Sequence, residues 1–422
     1  FTSSGFIRGL ARRRKRERVL KWTGIAAIGI AIGMLLILFV SIASQSIGAF
    51  QQARIELPIF FDPEIIGGSG YDEAAIRKAD FRKIYLNGLY ATLGRPASRK
   101  ARSHLRRMMS PSVEYSLRQM VLDQPTLIGQ KINVWLPAST EVDLIVKGSV
   151  PRDVPEDERM ISDLQLTWVD ELSQKGHLKT VFNQDFFLNN NSRNPEVAGI
   201  WGAVLGSVLM LLVTLVVTLP IAIAAAVYLE EFAPKNRWTE LIDVNIRNLA
   251  AVPSILFGLL GLAVFIRLFG VPRSTPVAGG LVLGLLVLPT IIIAARAAIH
   301  AVPPSLREAA LQLGASRMQT TFLTVLPNAL PGILTGTIIS LAEALGESAP
   351  LLMIGMVAFI ASEPQGFTDP AAPLPVQIFL WSTNPERGYL EKTAAAIIAL
   401  LVLLLIMNAL AIWLRMRTQK KW

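Results

Sequence analysis

Residues 197–229 read VAGIWGAVLGSVLMLLVTLVVTLPIAIAAAVYL, thirty-three positions without a single Asp, Glu, Lys or Arg. An α-helix rises about 1.5 Å per residue, so crossing roughly 30 Å of bilayer hydrocarbon takes about 20 apolar residues. The stretch is longer than that, which predicts a tilted helix that runs beyond the hydrocarbon and that Pro220 kinks or ends. The chain is therefore predicted to be a membrane protein.

The composition of the whole chain agrees with this prediction. Of 422 residues, 52 % are hydrophobic and 17 % are charged, whereas a soluble domain carries about 25 % charge. The mean hydropathy is +0.46. The chain has no cysteine and only three scattered histidines, which excludes disulfides and thiolate chemistry, so neither a metal nor a cofactor is expected.

Further apolar windows bring the prediction to six transmembrane helices. Besides the quoted stretch, they lie at 23–44, between Arg247 and Arg267, between Arg273 and Arg296, at 330–357, and between Lys392 and Arg415. The first window exceeds the roughly 7–15 apolar residues of a signal peptide, so it is predicted to be a retained anchor.

Lys and Arg residues beside the windows predict the orientation, because they favour the cytoplasmic side. They crowd both ends of the chain: Arg8, Arg12, Arg13, Arg14, Lys15, Arg16, Arg18 and Lys21, and then Arg415, Arg417, Lys420 and Lys421. Six spans place both ends on one side, so both termini are expected in the cytoplasm, with residues 1–22 as a basic tail. This explains the net charge of +10 without nucleic acid.

Residues 45–196 are then extracytoplasmic and read as a small α+β domain. Apolar residues follow helical spacing in one part and strand alternation in another: Phe81, Ile84, Tyr85 and Leu89, and then Val142, Leu144 and Val146. A further helix is predicted to start at Pro155 and to stop at Gly176. This domain contains no recognisable catalytic motif.

A second informative segment is 300–331, HAVPPSLREAALQLGASRMQTTFLTVLPNALP, which is too polar to span and too apolar for an ordinary loop. Pro303 and Pro304 should end the preceding helix. Ser305 can cap a new helix, with Glu308 as its capping-box partner.

The rest of this segment predicts a turn and a second helix. Gly314 allows a sharp turn, and a short helix at about Arg317–Leu326 should end before Pro327. The resulting helix–glycine–helix elbow has the size of an element that enters a groove of another protein.

The elbow resembles the coupling motif of ABC importer permeases, through EAA at Glu308, Ala309 and Ala310, through Gly314, and through Leu326–Pro327. Four longer stretches are similar to the A-type permeases of Pst phosphate importers: YLEEFAPKN at 228–236, NLAAVPSILFGLL at 248–260, AVPPSLREAALQLG at 301–314, and PGILTGTIISLAEALGESAPLLM at 331–353. The resemblance covers roughly 198–414. The anchor and the domain after it resemble an extension found on some members.

The resemblance implies the fold of an ABC type I importer permease: an all-α polytopic membrane protein, its permease domain at 197–422, with the small extracytoplasmic α+β domain inserted. The implied function is the permease subunit of an ATP-driven phosphate importer, located in the bacterial inner membrane. Implied partners are a second related permease, two ATP-binding cassette subunits that receive the elbow, an extracytoplasmic phosphate-binding protein, and phosphate itself. The chain has no Gly-Lys dipeptide and hence no P-loop, so it is expected to be no enzyme.

Two carboxylates, Glu343 and Glu347, interrupt the fifth apolar window. Residues four apart share a helical face, and two bare carboxylates there repel each other, so a cation should accompany them. Arg296 and Arg267 are the candidates within the chain, and a partner subunit is another source. The translocation path, or a gate in it, is predicted to be lined by Glu343, Glu347, Ser348 and Arg296. A structural ion pair between subunits explains the two carboxylates equally well.

Small residues and a proline predict how this fifth helix packs. Gly332 and Gly336 form a G-x-x-x-G pattern that allows close contact with another helix. Gly346 can loosen the helix, and Pro350 should kink it.

Three alternatives remain open. The same machine can carry another solute, such as sulfate, molybdate or an amino acid. A membrane sensor or regulatory subunit, with residues 45–196 as its receptor, is a second class. An intramembrane enzyme is a third, although the apolar windows contain no serine-protease motif and no aspartate.

Overall fold

The computed structural model describes residues 4–67, 72–156 and 159–418. They form an inserted domain, residues 47–200, and a membrane part made of the apolar helices before and after it. The strands are β1 (Gln51–Phe60), β2 (Lys131–Pro137) and β3 (Leu178–Phe182). The helices are α1 (Ser4–Ser46), α2 (Pro63–Ile66), α3 (Glu73–Lys78), α4 (Phe81–Leu93), α5 (Arg99–Arg106), α6 (Val113–Asp123), α7 (Thr140–Val146), α8 (Asp163–Gln174), α9 (Asp185–Leu188), α10 (Trp201–Val227), α11 (Arg237–Ala250), α12 (Ser254–Gly261), α13 (Pro276–His300), α14 (Pro304–Gln312), α15 (Arg317–Thr320), α16 (Leu326–Gly346), α17 (Ala349–Met353), α18 (Leu374–Ser382) and α19 (Gly388–Thr418).

Within the described residues, five helical segments are long and apolar enough to cross a membrane, and a sixth is obtained if one bent pair counts as a span. The five are Arg16–Phe50, Trp201–Phe232, Pro276–His300, Arg317–Gly346 and Gly388–Arg417. A mostly helical polytopic protein with a small inserted α+β domain is therefore confirmed. Lys420 and Lys421 of the predicted basic flank lie outside the described residues.

The third predicted span is a bent pair and not one straight helix. α11 and α12 meet at 102°, with Pro253 directly before α12. Proline has no amide donor and its ring clashes with the preceding turn of a helix, so Pro253 favours a break between α11 and α12. The second span behaves differently, because α10 continues past Pro220 and extends as a π-type turn to Phe232.

The centre of the membrane part is the packing of α13 between α10 and α16. Gly280 approaches α10 so closely that an added Cβ would lie 2.7 Å from the carbonyl oxygen of Met210. The hydroxyl of Thr214 donates a 3.0 Å hydrogen bond to the Gly280 carbonyl. On the other side, a Cβ at Gly336 would overlap that of Ala294, which confirms the close contact predicted from the G-x-x-x-G pattern.

The inserted domain is built around β1, which pairs antiparallel with β2 on one side and with β3 on the other. Alternate β1 side chains are fully buried against the surrounding helices: Ala53, Ile55, Leu57 and Ile59. The helix predicted around Phe81 is confirmed as α4, with Phe81, Ile84, Tyr85 and Leu89 all buried.

Two local predictions in this domain are wrong. Residues 142–146, predicted as a strand, belong to α7, because Ser139 caps a helix there and Ile145 is buried beside Leu144, which breaks the alternation. The helix predicted from Pro155 starts only at Asp163, where Ser162 forms the capping box.

The inserted domain is joined to the first turn of α19 by buried charges. Glu391 accepts a 2.5 Å hydrogen bond from the hydroxyl of Ser149, and its carboxylate lies 3.5 Å from the amine of Lys147. Lys147 also pairs with Asp143 within α7. Burial raises the pKa of Asp143, against the opposing charge and hydrogen bond of Lys147.

A second buried contact fixes the segment that leads into α10. The carboxylate of Glu196 accepts hydrogen bonds from the hydroxyls of Ser110 and Thr140. The Glu196 carbonyl accepts a 2.8 Å bond from the amide of Gln52. Burial raises the pKa of Glu196, and the two hydroxyls only partly offset that rise. The inserted domain is thus fastened to the membrane part at two places.

Candidate functional site: the elbow and the exposed face of α16

The first helix of the predicted elbow is present as α14, but its cap differs from the prediction. The helix follows directly on Pro303 and has Pro304 in its first turn. Ser305 therefore lies inside the helix and makes no capping bond, so the predicted capping box with Glu308 is wrong. A capping box does form eleven residues later, between Ser316 and Gln319 at the start of α15.

The turn of the elbow is at Gly314, as predicted. Gly314 has φ +87°, and a Cβ there would meet open space, so only the backbone conformation favours glycine at this position. The second helix does not end before Pro327. α15 continues through a π-type turn into α16, because Pro327 falls in the first turn of α16. The elbow is thereby rigidly continuous with a membrane helix.

The tip of the elbow is a largely uncovered surface. Glu308 and Ala309 are exposed, and Ala310 is half-buried. Leu311, Leu313 and Leu323 keep 50 %, 89 % and 76 % of their surface exposed. Large apolar side chains clustered in this way mark a contact site for another protein. Of the remaining predicted residues, Leu326 packs against the membrane part and Pro327 is exposed, so neither belongs to the tip.

Arg307, which no sequence motif singled out as a site residue, anchors the elbow. Its guanidinium donates hydrogen bonds of 2.6 Å to the carbonyl of Val302 and 2.8 Å to the carbonyl of Ile299, at the end of α13. It also donates bonds of 3.2 and 3.0 Å to Glu231. Glu231 and Arg307 belong to two stretches singled out in the sequence, YLEEFAPKN and AVPPSLREAALQLG, and their opposite charges were the only available signal of this contact.

Arg296 is not a partner of the α16 carboxylates, contrary to the prediction. It pairs with Asp243 of α11 and with Glu230, whose other carboxylate oxygen lies 2.8 Å from Nδ1 of His300. Arg247 pairs with Asp243 as well. These charges thus form one network that ties α11 and the Glu230–Glu231 turn to α13.

Glu343 and Glu347 do not share a helical face. α16 ends at Gly346, and Glu347 is extended, with ψ 113°, so the loosening predicted at Gly346 and Pro350 is a complete break in the helix. Ser348 follows in the break and is half-buried. Among the described residues, Glu343 makes no hydrogen bond or ion pair.

Glu343 lies on the uncovered side of α16. Ile339, one turn earlier, is 65 % exposed, and Gly346 is exposed as well. A bare carboxylate facing lipid costs about 2.5–3.5 kcal/mol on insertion scales, so this side of α16 should face protein or water in the membrane.

Two families match the chain. Residues 197–420 match the family described as "binding-protein-dependent transport system inner membrane component". Residues 8–156 match a domain of unknown function (DUF3333). The first match covers just over half of the chain and includes both the elbow and α16.

Curated relatives of the chain are permeases. The "probable ABC transporter permease protein YqgI" of Bacillus subtilis (strain 168) is 32 % identical over 215 residues, which cover 47 % of this chain and 71 % of the relative. The "phosphate transport system permease protein PstA 1" of Mycobacterium tuberculosis (strain ATCC 25618 / H37Rv) is 32 % identical over 218 residues, 51 % of this chain and 70 % of the relative. PstA of Haemophilus influenzae is 30 % identical over 223 residues, 52 % of this chain and 78 % of the relative.

A solved structure described as "inward facing conformations of the MetNI methionine ABC transporter" aligns with 53 % of this chain and 95 % of that chain, at a TM-score of 0.42 and 17 % identity. This similarity is too weak to bear on the solute.

Proposed function

Because this chain belongs to the binding-protein-dependent transport system inner membrane component family, as an ABC importer permease of the PstA type with an added N-terminal region, we propose that it forms half of the translocation path of an ATP-driven importer of inorganic phosphate. Membership of this family implies a second permease subunit, ATPase subunits and a substrate-binding protein as partners. A phosphate-binding protein and two copies of the ATPase are the specific form proposed here.

The choice of phosphate rests on one observation, the names of the relatives. Phosphate transport system permeases of Mycobacterium tuberculosis and Haemophilus influenzae are 32 % and 30 % identical to this chain over more than two hundred residues. The proposed solute is therefore carried over from those relatives.

The elbow supplies the mechanical link to the ATPase. Its exposed apolar tip enters a cleft of the ATPase subunit, and Arg307 holds the base of α14 against α13. The helix after the turn continues into α16, so a displacement of the tip moves two membrane helices together. A short rigid helix transmits rigid-body motion in this way without needing an ATP site of its own.

The exposed side of α16 faces the second permease across the path. In this arrangement Glu343 lies in a protein or aqueous environment, and the break at Glu347–Ser348 lies where the translocation path narrows. The positive-inside rule then places the elbow and both termini in the cytoplasm and the inserted domain on the outer side.

Radiolabelled uptake in a cell that lacks its own phosphate importers tests the proposal. Expression of this chain with its co-purifying subunits should restore uptake of labelled phosphate, and unlabelled sulfate in excess should not compete. The variant Gly314→Val, strained at φ +87°, should abolish the uptake while the chain still inserts in the membrane. Uptake of sulfate without phosphate would refute the substrate, and full uptake by Gly314→Val would refute the role of the elbow.

A further inference from the structure

The inserted domain carries an exposed aromatic patch, formed by Phe182, Phe187 and Leu188. These side chains keep 61 %, 40 % and 70 % of their surface exposed. With roughly 150–250 Å² for each large side chain, the patch presents on the order of 300 Å² of apolar surface, a size that usually has a function.

The patch is continuous and rests on the domain core. The ring of Phe187 stacks on that of Phe182 and on that of Phe50, each at 5.8 Å between centroids. Phe186, fully buried, meets the same ring edge-on at 5.2 Å. The exposed rings are therefore held in place by a buried one and are not free to fold inward.

The patch lies where two membrane helices meet the inserted domain. Phe50 follows α1 after a single turn of 3₁₀-helix. On the other side, the carbonyl of Phe186 accepts a 2.9 Å hydrogen bond from the amide of Ile200, directly before α10, and the carbonyl of Asn189 accepts one of 3.1 Å from Trp201. The aromatic rings thus sit at the level where the chain leaves the membrane and enters it again.

The one carboxylate of α9 points away from this surface. Asp185 pairs with Arg54 at 3.3 Å and accepts a hydrogen bond from Gln52 at the same distance. This carboxylate is thus paired and only 28 % exposed, so α9 presents apolar side chains and no unpaired charge at this surface.

We propose that the aromatic patch inserts into the lipid leaflet on the inserted domain's side of the membrane, at the boundary between headgroups and acyl chains. Aromatic side chains are enriched at that boundary, and surface-bound apolar faces enter it by about 5–10 Å. Together with the buried contacts to α10 and α19, this third attachment fixes the tilt of the inserted domain over the membrane part. A protein partner is the competing occupant, and the experiment separates the two.

The chain has no cysteine, so a single nitroxide label can report on one position. The variant Leu188→Cys is labelled in the full chain with its co-purifying subunits, in bilayer discs of phosphatidylcholine and phosphatidylglycerol. Collision with oxygen, which dissolves in lipid, is compared with collision with a water-soluble nickel chelate. The control is Phe60→Cys, an equally apolar and 47 % exposed position at the far end of β1, roughly 30 Å along the strand.

In lipid, the ratio of oxygen to nickel collisions at residue 188 should be at least about tenfold higher than at residue 60, because apolar surroundings admit oxygen and exclude the hydrated chelate. Nickel collisions equal to those at residue 60 would show the patch in water. Protection from both reagents would show it covered by protein. Either result overturns the proposal, and Phe182→Cys provides a second reporter if Leu188→Cys does not fold.

Discussion

Replacing Arg307 by Ala should release the elbow from the membrane part without unfolding either. The guanidinium donates hydrogen bonds to the carbonyls of Ile299 and Val302, at and just beyond the end of α13, where the regular helical bonds run out. It also neutralises Glu231, whose side chain is only 12 % exposed. Charge-assisted hydrogen bonds contribute about 1.5–3 kcal/mol each and are not additive. Loss of all the Arg307 hydrogen bonds leaves Glu231 nearly buried and unpaired, so it should weaken the attachment of the elbow by about 3 kcal/mol.

That free energy is large for so small an element. Every 1.4 kcal/mol is about a tenfold change in an equilibrium, so the ratio of attached to detached elbow should fall by about 100-fold. Detachment should lower transport-coupled ATP hydrolysis, since a loose tip moves without pulling α13.

The assay is a distance measurement between two spin labels. One label is placed at Leu313→Cys on the tip and the other at Val216→Cys on the exposed side of α10, and the distance distribution should broaden in Arg307→Ala. Arg237→Ala, which removes an exposed cation near the start of α11, is the matched control and should leave the distribution narrow. An unchanged distribution in Arg307→Ala, or equal broadening in both variants, would refute the anchoring role.

Three further predictions concern helix packing and the junction with the inserted domain. Gly336→Ala should lower the thermal unfolding midpoint by an amount equivalent to about 1–3 kcal/mol, because the added methyl forces α13 and α16 apart. Gly346→Ala should leave the midpoint unchanged, because a Cβ at Gly346 meets nothing within 4 Å. Equal effects of the two variants would contradict the packing argument. Glu391→Gln should destabilise the junction by about 1–2 kcal/mol, since Lys147 loses one of its two carboxylates; faster proteolytic release of the inserted domain measures this, and an unchanged rate would count against it. Burial raises the pKa of Glu196 above the ordinary 4.5, so the folded chain binds that proton more tightly than the unfolded chain, and the contribution of Glu196 to stability should decrease as the pH rises through and above 4.5. Glu196→Gln should flatten this dependence of the unfolding midpoint on pH, measured by thermal unfolding at several pH values. An unaltered dependence would refute the assignment.

The membrane helices were predictable because burial in lipid imposes a simple rule on composition. Crossing hydrocarbon requires a long run without charge, and such runs stand out in one sequence. The elbow was predictable for a related reason, since prolines and a glycine mark helix ends by local sterics. Both kinds of signal lie within a few residues of the feature they predict.

The errors came from patterns too short to discriminate. Residues 142–146 alternate well enough for a strand, yet a run of this length fits a helix once Ser139 caps it. Ser305 and Ser316 each have Glu or Gln three residues later, and the sequence does not show that Pro304 starts the helix ahead of Ser305. The capping box was therefore predicted at Ser305, whereas the structure has it at Ser316.

The partners of Arg296 and Arg307 could not be derived from one sequence. Arg296 meets Asp243 across 53 residues, and Arg307 meets Glu231 across 76. Such pairs depend on how α10, α11 and α13 come together in three dimensions. Charge alone offered several candidates for Arg296, including Glu343, and the packing of the helices selected another.

The contact between Ser149 and Glu391 joins residues 242 positions apart, and this has a consequence for biosynthesis. At a typical rate of about 5–20 residues per second, the ribosome needs roughly 12–50 s to make the intervening chain. During that time Lys147 pairs only with Asp143, and α1 lacks α19, against which it packs in the complete chain. The contact between the inserted domain and α19 therefore forms last, so a truncated chain that stops before α19 should be degraded readily by quality-control proteases.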